Sequence, residues 1–329
     1  MYQWYVKLCY IACAIALCVV VLGAYVRLSD AGLGCPDWPG CYGRLVVPSA
    51  DDSQAHAQAT FPDRPLETGK AWREMIHRYL ATSLGFFIML MAFLAWRNRA
   101  DPQQPVRLPL ILLGVVILQG MLGMWTVTLL LKPLIVMGHL LGGLTTLGLL
   151  FWLVMEHRRR DLPHGRASRA AMIALVVLVG QIALGGWTSS NYAALACPDL
   201  PTCGGQWWPS SANFSEAFVM WRGLGINYEG GVLDAPARVA IHYSHRLGAM
   251  LTFLVLATVG FRFLRRRSAM LRAAGALVLL AVTAQVSLGI SVVWFGLPLA
   301  LATLHNAVAA LLLLAVINLN HAAIRSPAG

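Results

Sequence analysis

Charge is what this chain has least of. Only 12% of its 329 residues are Asp, Glu, Lys or Arg, about half the share usual in soluble domains, and 58% are hydrophobic. That balance excludes an ordinary water-soluble globular domain and makes a membrane the natural solvent. Acids are scarcer than bases, 14 against 25. A small-residue cleavage site is lacking too: after the first apolar run the flank AYVRLSDAGLG leads straight into a cysteine loop. The run is therefore expected to be a retained span and not a removed signal peptide.

Apolar stretches of about 20 residues, the length that crosses a bilayer core of roughly 30 Å, fall at 8–26, 75–96, 108–129, 134–154, 169–189, 239–262, 271–293 and 299–319. An all-α integral membrane protein with eight spans is expected. Arginines set its orientation. The segments after spans two, four and six hold Arg97, Arg99 and Arg107, then Arg158, Arg159, Arg160, Arg166 and Arg169, then Arg262, Arg265, Arg266, Arg267 and Arg272. By the positive-inside rule these segments and both termini are cytoplasmic. Only Asp101, Glu156 and Asp161 bring acid to that side. The long loops near 27–73 and 190–238 then face outward. The net charge of +11 is accounted for by topology and anionic lipid, so no nucleic-acid partner is expected.

Against this apolar background two polar phrases stand out, CPDWPGC at 35–41 and CPDLPTC at 197–203. Their offset is 162 residues, and the flanks repeat with them: GAYVRLSDAGLGCPD over GGWTSSNYAALACPD sets Gly23 over Gly185. Further along, MIHRYLATSLG matches YSHRLGAMLTF with His77-Arg78 over His245-Arg246, and GHLLGGLTTLGLL matches LHNAVAALLLLAV with His139 over His305. The chain reads as a duplicated four-span unit, 1–160 and 161–329. Because each unit has an even number of spans, two four-helix bundles related by a pseudo-two-fold axis along the membrane normal are expected.

Each unit carries one histidine at the start of its second span and one early in its fourth, at similar depth. Ionisable groups inside spans are costly and mark functional sites. Facing histidines in a helical bundle are a way to hold haem iron from both sides. His77 with His139 and His245 with His305 thus define two haem-sized sites. Zinc is the weaker reading, since no third ligand accompanies either pair apart from Glu74. His56, His157, His164 and His321 are expected to be solvated, and Cys9, Cys13 and Cys18 to be packing residues of the first span.

The two sites differ. Glu74 stands three residues before His77, on one helical face, whereas His242 stands three before His245. A carboxylate beside a haem serves proton transfer or charge stabilisation; the structural alternative is a pair with Arg73 or Arg78. Arg78 and Arg246 follow the candidate ligands directly, placed either to bind haem propionates or to snorkel.

GAYVRLSDAGLGCPDWPGC, EMIHR, the fourth-span histidine and the second-half repeats together resemble the haem A synthase family, over essentially the whole chain. The resemblance implies a bacterial inner-membrane oxidoreductase that oxidises the C8 methyl of haem O to a formyl, giving haem A for cytochrome oxidase. It implies His77 and His139 at the substrate haem, Glu74 as the catalytic carboxylate, and His245 and His305 as ligands of a haem b cofactor, His242 being a nearby second candidate. It implies contact with the protohaem farnesyltransferase that makes haem O, and an unidentified electron acceptor. Both cysteine loops fall on the oxidising side, where disulfides persist: Cys35–Cys41 and Cys197–Cys203 are expected to close short rings above each pocket, as rigid lids or as redox-active pairs. The rival classes are a dihaem membrane cytochrome for quinol-linked electron transfer, which leaves the single Glu74 unexplained, and a transporter, which the intact spans disfavour.

Overall fold

The computed structural model describes residues 2–49 and 51–326. Among them the regular structure is helical, without strands. Eight long helices are each long and apolar enough to cross a membrane: α1 (Tyr2–Leu28), α3 (Thr68–Arg97), α4 (Arg107–Thr128), α5 (Pro133–Arg158), α6 (Arg169–Ser190), α8 (Ala235–Leu264), α9 (Ala269–Trp294) and α10 (Leu299–Ile324). The chain is a multi-pass membrane protein. In lipid each backbone polar group must be satisfied within its own segment, and helices do this. Two short helices, α2 (Asp51–Thr60) and α7 (Phe214–Ala217), lie in the long loops; neither is expected from hydropathy, because both are polar and brief.

The helices extend past the apolar runs wherever polar sequence can leave the bilayer and keep helical bonding. α3 starts at Thr68 with TGKAWRE, seven residues before the apolar stretch. α8 starts at Ala235 because Asp234 caps it, accepting from the Ala237 amide at 2.9 Å, and Pro236 sits in the first turn, where its missing N–H costs nothing. α5 likewise begins on Pro133.

The long helices touch in two closed rings. α1 packs on α3, α3 on α4, α4 on α5 and α5 back on α1; α6, α8, α9 and α10 do the same. The rings meet where α1 touches α10, α5 touches α6, and α5 touches α10. The continuous apolar core occupies the end remote from the cysteine loops, with Ile88, Met91, Leu112, Leu147, Leu150, Leu256, Val278, Leu312, Val316 and Leu319 at its centre. At the loop end two smaller clusters replace it, one around Cys35, Cys41, Tyr42 and Met75, the other around Trp187, Leu233 and Ile241. Between core and loop clusters lies the layer of histidines.

Two expectations are corrected here. His321 is not solvated but 0% exposed, because α10 runs one turn beyond the apolar stretch and carries it against the end of α5. Its Nε2 lies 3.0 Å from Glu156, which also pairs with the buried Arg325. Arg159 reaches His321 Nδ1 at 3.2 Å and the side chain of Asn318. Cys18 is exposed on α1, whereas Cys9 is packed in the core. His56 and His164 are exposed, and His157 is half-buried.

Glu156→Ala is expected to lower stability by about 1–3 kcal/mol, read as the thermal midpoint of the detergent-solubilised protein. Stripping one partner from a fully buried pair costs more, but the Glu156 side chain is itself 39% exposed and solvent screens part of the loss.

Candidate functional site

Each CPD loop is closed by its disulfide, Cys35–Cys41 with Cα atoms 4.8 Å apart and Cys197–Cys203 at 4.7 Å. The aspartate explains the rest of the phrase. Asp37 accepts the amides of Tyr42 at 2.6 Å and Gly43 at 2.8 Å; Asp199 accepts those of Gly204 at 2.6 Å and Gly205 at 3.0 Å. These amides belong to turn residues with positive φ, from 53° at Tyr42 to 75° at Gly43, a conformation in which successive N–H groups converge on one acceptor. The Thr202 hydroxyl adds a further bond to Asp199 and, with the Gly205 and Gly204 amides, holds its carboxyl well below the usual carboxylate range.

The loops are fastened to the helices by the residues that flank the candidate ligands. Arg78 donates from Nη1 to the carbonyls of Asp37 (2.9 Å), Pro39 and Gly40, and from Nη2 to Glu74. Arg246 donates to the carbonyls of Asp199 and Thr202, both at 2.8 Å, and to Cys197. The terminal donors of both guanidiniums thus engage loop carbonyls and, for Arg78, Glu74. One guanidinium bridging several carbonyls is a rigid clamp because its donors are fixed in a plane.

Glu74 is buried, 4% exposed, among the Gly34 and Cys35 amides and Arg78. Its Oε2 accepts the Cys35 amide at 2.9 Å, and its Oε1 pairs with Arg78. Arg73 turns away, toward the Ser29 carbonyl and the Tyr25 ring. In the second half His242 takes the place of Glu74, its Nδ1 accepting the Cys197 amide at 3.1 Å. Both residues do the same structural task, so the carboxylate is not required merely to hold the loop. Each carboxylate oxygen has about two acceptor sites, so Glu74 retains capacity for a proton.

One helical turn deeper, His77 of α3 and His139 of α5 face each other with ring centres 6.5 Å apart and planes at 87°. Two imidazoles on opposite sides of one metal ion, each bonded at about 2 Å, bring their ring centres to roughly 6 Å. The Nδ1 atoms of both rings, and of His305, are buried without a hydrogen-bond partner, a costly state for a polar atom unless something else satisfies it. His245 of α8 and His305 of α10 are the corresponding residues of the second ring of helices. Among the described residues no group of three or more His, Cys, Asp or Glu converges, so the donor set is one of imidazole pairs, which suits axial ligation of a porphyrin iron.

Sequence reasoning missed a set of glycines. A Cβ on Gly23 would stand 2.9 Å from the His77 ring, one on Gly123 3.5 Å from His139, one on Gly185 3.1 Å from His245, and one on Gly289 3.1 Å from His305. No other described glycine faces a histidine. Each occupies a helix interior, where glycine costs about 1 kcal/mol relative to alanine. The return for that cost is room for a ring held against a neighbouring backbone.

The chain is similar to known proteins over most of its length. The model of the cytochrome oxidase assembly protein family, COX15-CtaA, matches residues 6–317. A protein of Shewanella oneidensis named Heme A synthase is 47% identical over 310 residues, which is 93% of this chain and 92% of the relative. Proteins of the same name from Bradyrhizobium diazoefficiens and Halalkalibacterium halodurans are 29% and 25% identical, over 97% and 89% of this chain and 91% and 88% of their own.

Proposed function

The chain belongs to the cytochrome oxidase assembly protein family, and from that premise we infer that it is a haem A synthase, a membrane oxidoreductase that converts haem O into haem A. The relatives named for that activity, one of them 47% identical across nearly the full length, do not favour a dihaem cytochrome that leaves its haems unchanged.

In this reading the chain works as two halves, 1–160 and 161–329, related by an axis along the membrane normal. The two closed helix rings support it, as does the matched pairing of α1 with α10 and α5 with α6 at their junction. The observation that carries the site assignment is the facing of His77 and His139 at 6.5 Å, with Glu74 one turn away. These two histidines receive haem O, whose C8 methyl is oxidised to a formyl by successive hydroxylations. Glu74 takes up protons released at that carbon, held in place by the Cys35 amide and Arg78.

His245 and His305 would hold a haem b. When bound, the iron porphyrin supplies oxidation chemistry that side chains lack. Arg78 and Arg246 act on both pockets through the loops they clamp, and the disulfide-closed loops lid the pockets and limit access of water. The arginine-rich connections support cytoplasmic termini in a bacterial inner membrane, with the cysteine loops outside. The farnesyltransferase that makes haem O is the partner this reading implies, and the electron acceptor lies outside the chain.

The test is chemical. Membranes carrying this chain and supplied with haem O are expected to yield haem A on acidic extraction, and membranes without the chain only haem O. Recovery of unchanged haem O from a protein loaded with haem b would replace this reading with the dihaem cytochrome.

A further inference from the structure

Glutamine is a rare and costly residue inside a span. The three in span interiors all stand four residues before a glycine that faces a histidine: QGMLG at 119–123, QIALG at 181–185 and QVSLG at 285–289. The fourth copy of the pattern, VVVLG at 19–23, has Val19 at that position. The first, third, fifth and seventh spans therefore each present a glycine to the histidine of the span that follows, and three of them add an amide one turn away.

The amides are not used equally. Gln181 Nε2 lies 3.0 Å from His245 Nδ1 and 3.0 Å from the His245 carbonyl. Gln285 Nε2 lies 3.2 Å from His305 Nε2. Each amide also has its Oε1 buried and unpartnered; turned over, that oxygen accepts the ring N–H and leaves the opposite ring nitrogen bare for a metal. In the first half His77 meets the backbone of Val19, with no side-chain amide at that position. Gln119 leaves His139 alone, turning toward Gly142 with its own Nε2 buried and unpartnered. No side-chain amide holds either amino-terminal ring, whereas one lies against each carboxy-terminal ring.

We propose that Gln181 and Gln285 are positioning residues that fix His245 and His305, seated by Gly185 and Gly289, so that the carboxy-terminal pair retains its porphyrin while the pair His77 and His139, which no side-chain amide holds, takes up and releases one. The proposal rests on the haem reading above and deepens it by separating a retentive site from an exchanging one. An acceptor for the N–H of the second imidazole nitrogen, here the glutamine Oε1, orients the ring and raises its basicity as a ligand, and losing such a partner weakens metal binding about 10–100-fold. A site that must hand on its product is served by lacking that side-chain partner.

The experiment uses the full chain purified in detergent, with apomyoglobin as haem scavenger. Gln181→Leu and Gln285→Leu are expected to lose haem b about 10–100-fold faster than wild type, with an altered low-spin electron paramagnetic resonance signature. Gln119→Leu, a buried amide removed from the other half, should leave both haem b readouts unchanged. Gln181→Glu and Gln285→Glu, which keep an acceptor of the same shape, should retain haem b with a lowered midpoint potential. Haem loss at the wild-type rate from both Leu variants, with His305→Ala empty, overturns the proposal and spares the haem b assignment. If His305→Ala also keeps its haem, the assignment itself fails. Should the Leu variants not accumulate in membranes, the Glu variants decide: a shifted potential supports the clamp, and an unshifted one overturns it.

Discussion

Glu74→Gln is expected to lower the conversion of haem O by about 10²–10⁴-fold, the usual contribution of a positioned acid or base, while haem b remains bound at the wild-type ratio. The glutamine variant is the informative one. Glu74 has two duties in the structure, accepting the Cys35 amide and pairing with Arg78, and alanine would remove both along with any proton transfer. A glutamine carbonyl still accepts from Cys35 and occupies the same volume, so it keeps the loop fastened while removing the group that takes a proton. His242 makes the same point from the other half: an imidazole nitrogen suffices to hold the Cys197 amide, so anchoring does not explain a carboxylate. Glu74→Ala should stop conversion as completely or more so, with faster reduction of the Cys35–Cys41 disulfide as the sign that the loop has loosened. Wild-type yield of haem A from Glu74→Gln would reduce Glu74 to a fastener and remove the basis for placing the chemistry in the amino-terminal half.

The eight spans and the four histidines were legible in the sequence because each depends on a local signal: a run of apolar residues long enough for a bilayer, or an ionisable residue at a repeated offset. The duplication was legible for the same reason, since CPD and HR recur in order. Relations between helices were not. Four-residue spacing such as QxxxG along one helix says which residues share a face, but Gly23 meets His77, and Gly289 meets His305, only once the neighbouring helix is known. The VVVLG, QGMLG, QIALG and QVSLG phrases were visible signals for these positions, yet they resemble ordinary small-residue helix packing until each is seen opposite an imidazole.

Arg78 and Arg246 show a second limit. A guanidinium next to a haem-ligand candidate invites an anionic partner, but backbone carbonyls of a tight, disulfide-closed loop are equally good acceptors and leave no trace in composition. His321 shows a third: hydropathy ends the last span near residue 319, and the polar residues after it read as solvated. In the structure Glu156, Arg159 and Arg325 instead gather around that ring at the junction of α5 and α10. A polar cluster that satisfies itself lets a helix continue where hydropathy alone predicts an end.

His245→Ala and His305→Ala are each expected to empty the carboxy-terminal site, reducing the haem b recovered per protein from about one toward zero, because removing either axial ligand leaves the iron one strong bond short. The accompanying control is His242→Ala. His242 is 4% exposed and engaged with the Cys197 amide, not with a free pocket, so its loss should loosen the second loop and leave most haem b in place. The contrast decides between two adjacent histidines that the sequence could not separate except by the arginine after His245. It also isolates the two halves from each other: a protein emptied of haem b by His305→Ala still presents His77, His139 and Glu74, and is expected to bind added haem O with the shifted absorbance of imidazole ligation. Loss of haem O binding in that variant would mean that the halves fold or fill as one unit. Retention would mean that the core shared at the opposite end of the bundle holds the two sites in place without making either depend on the other's ligand.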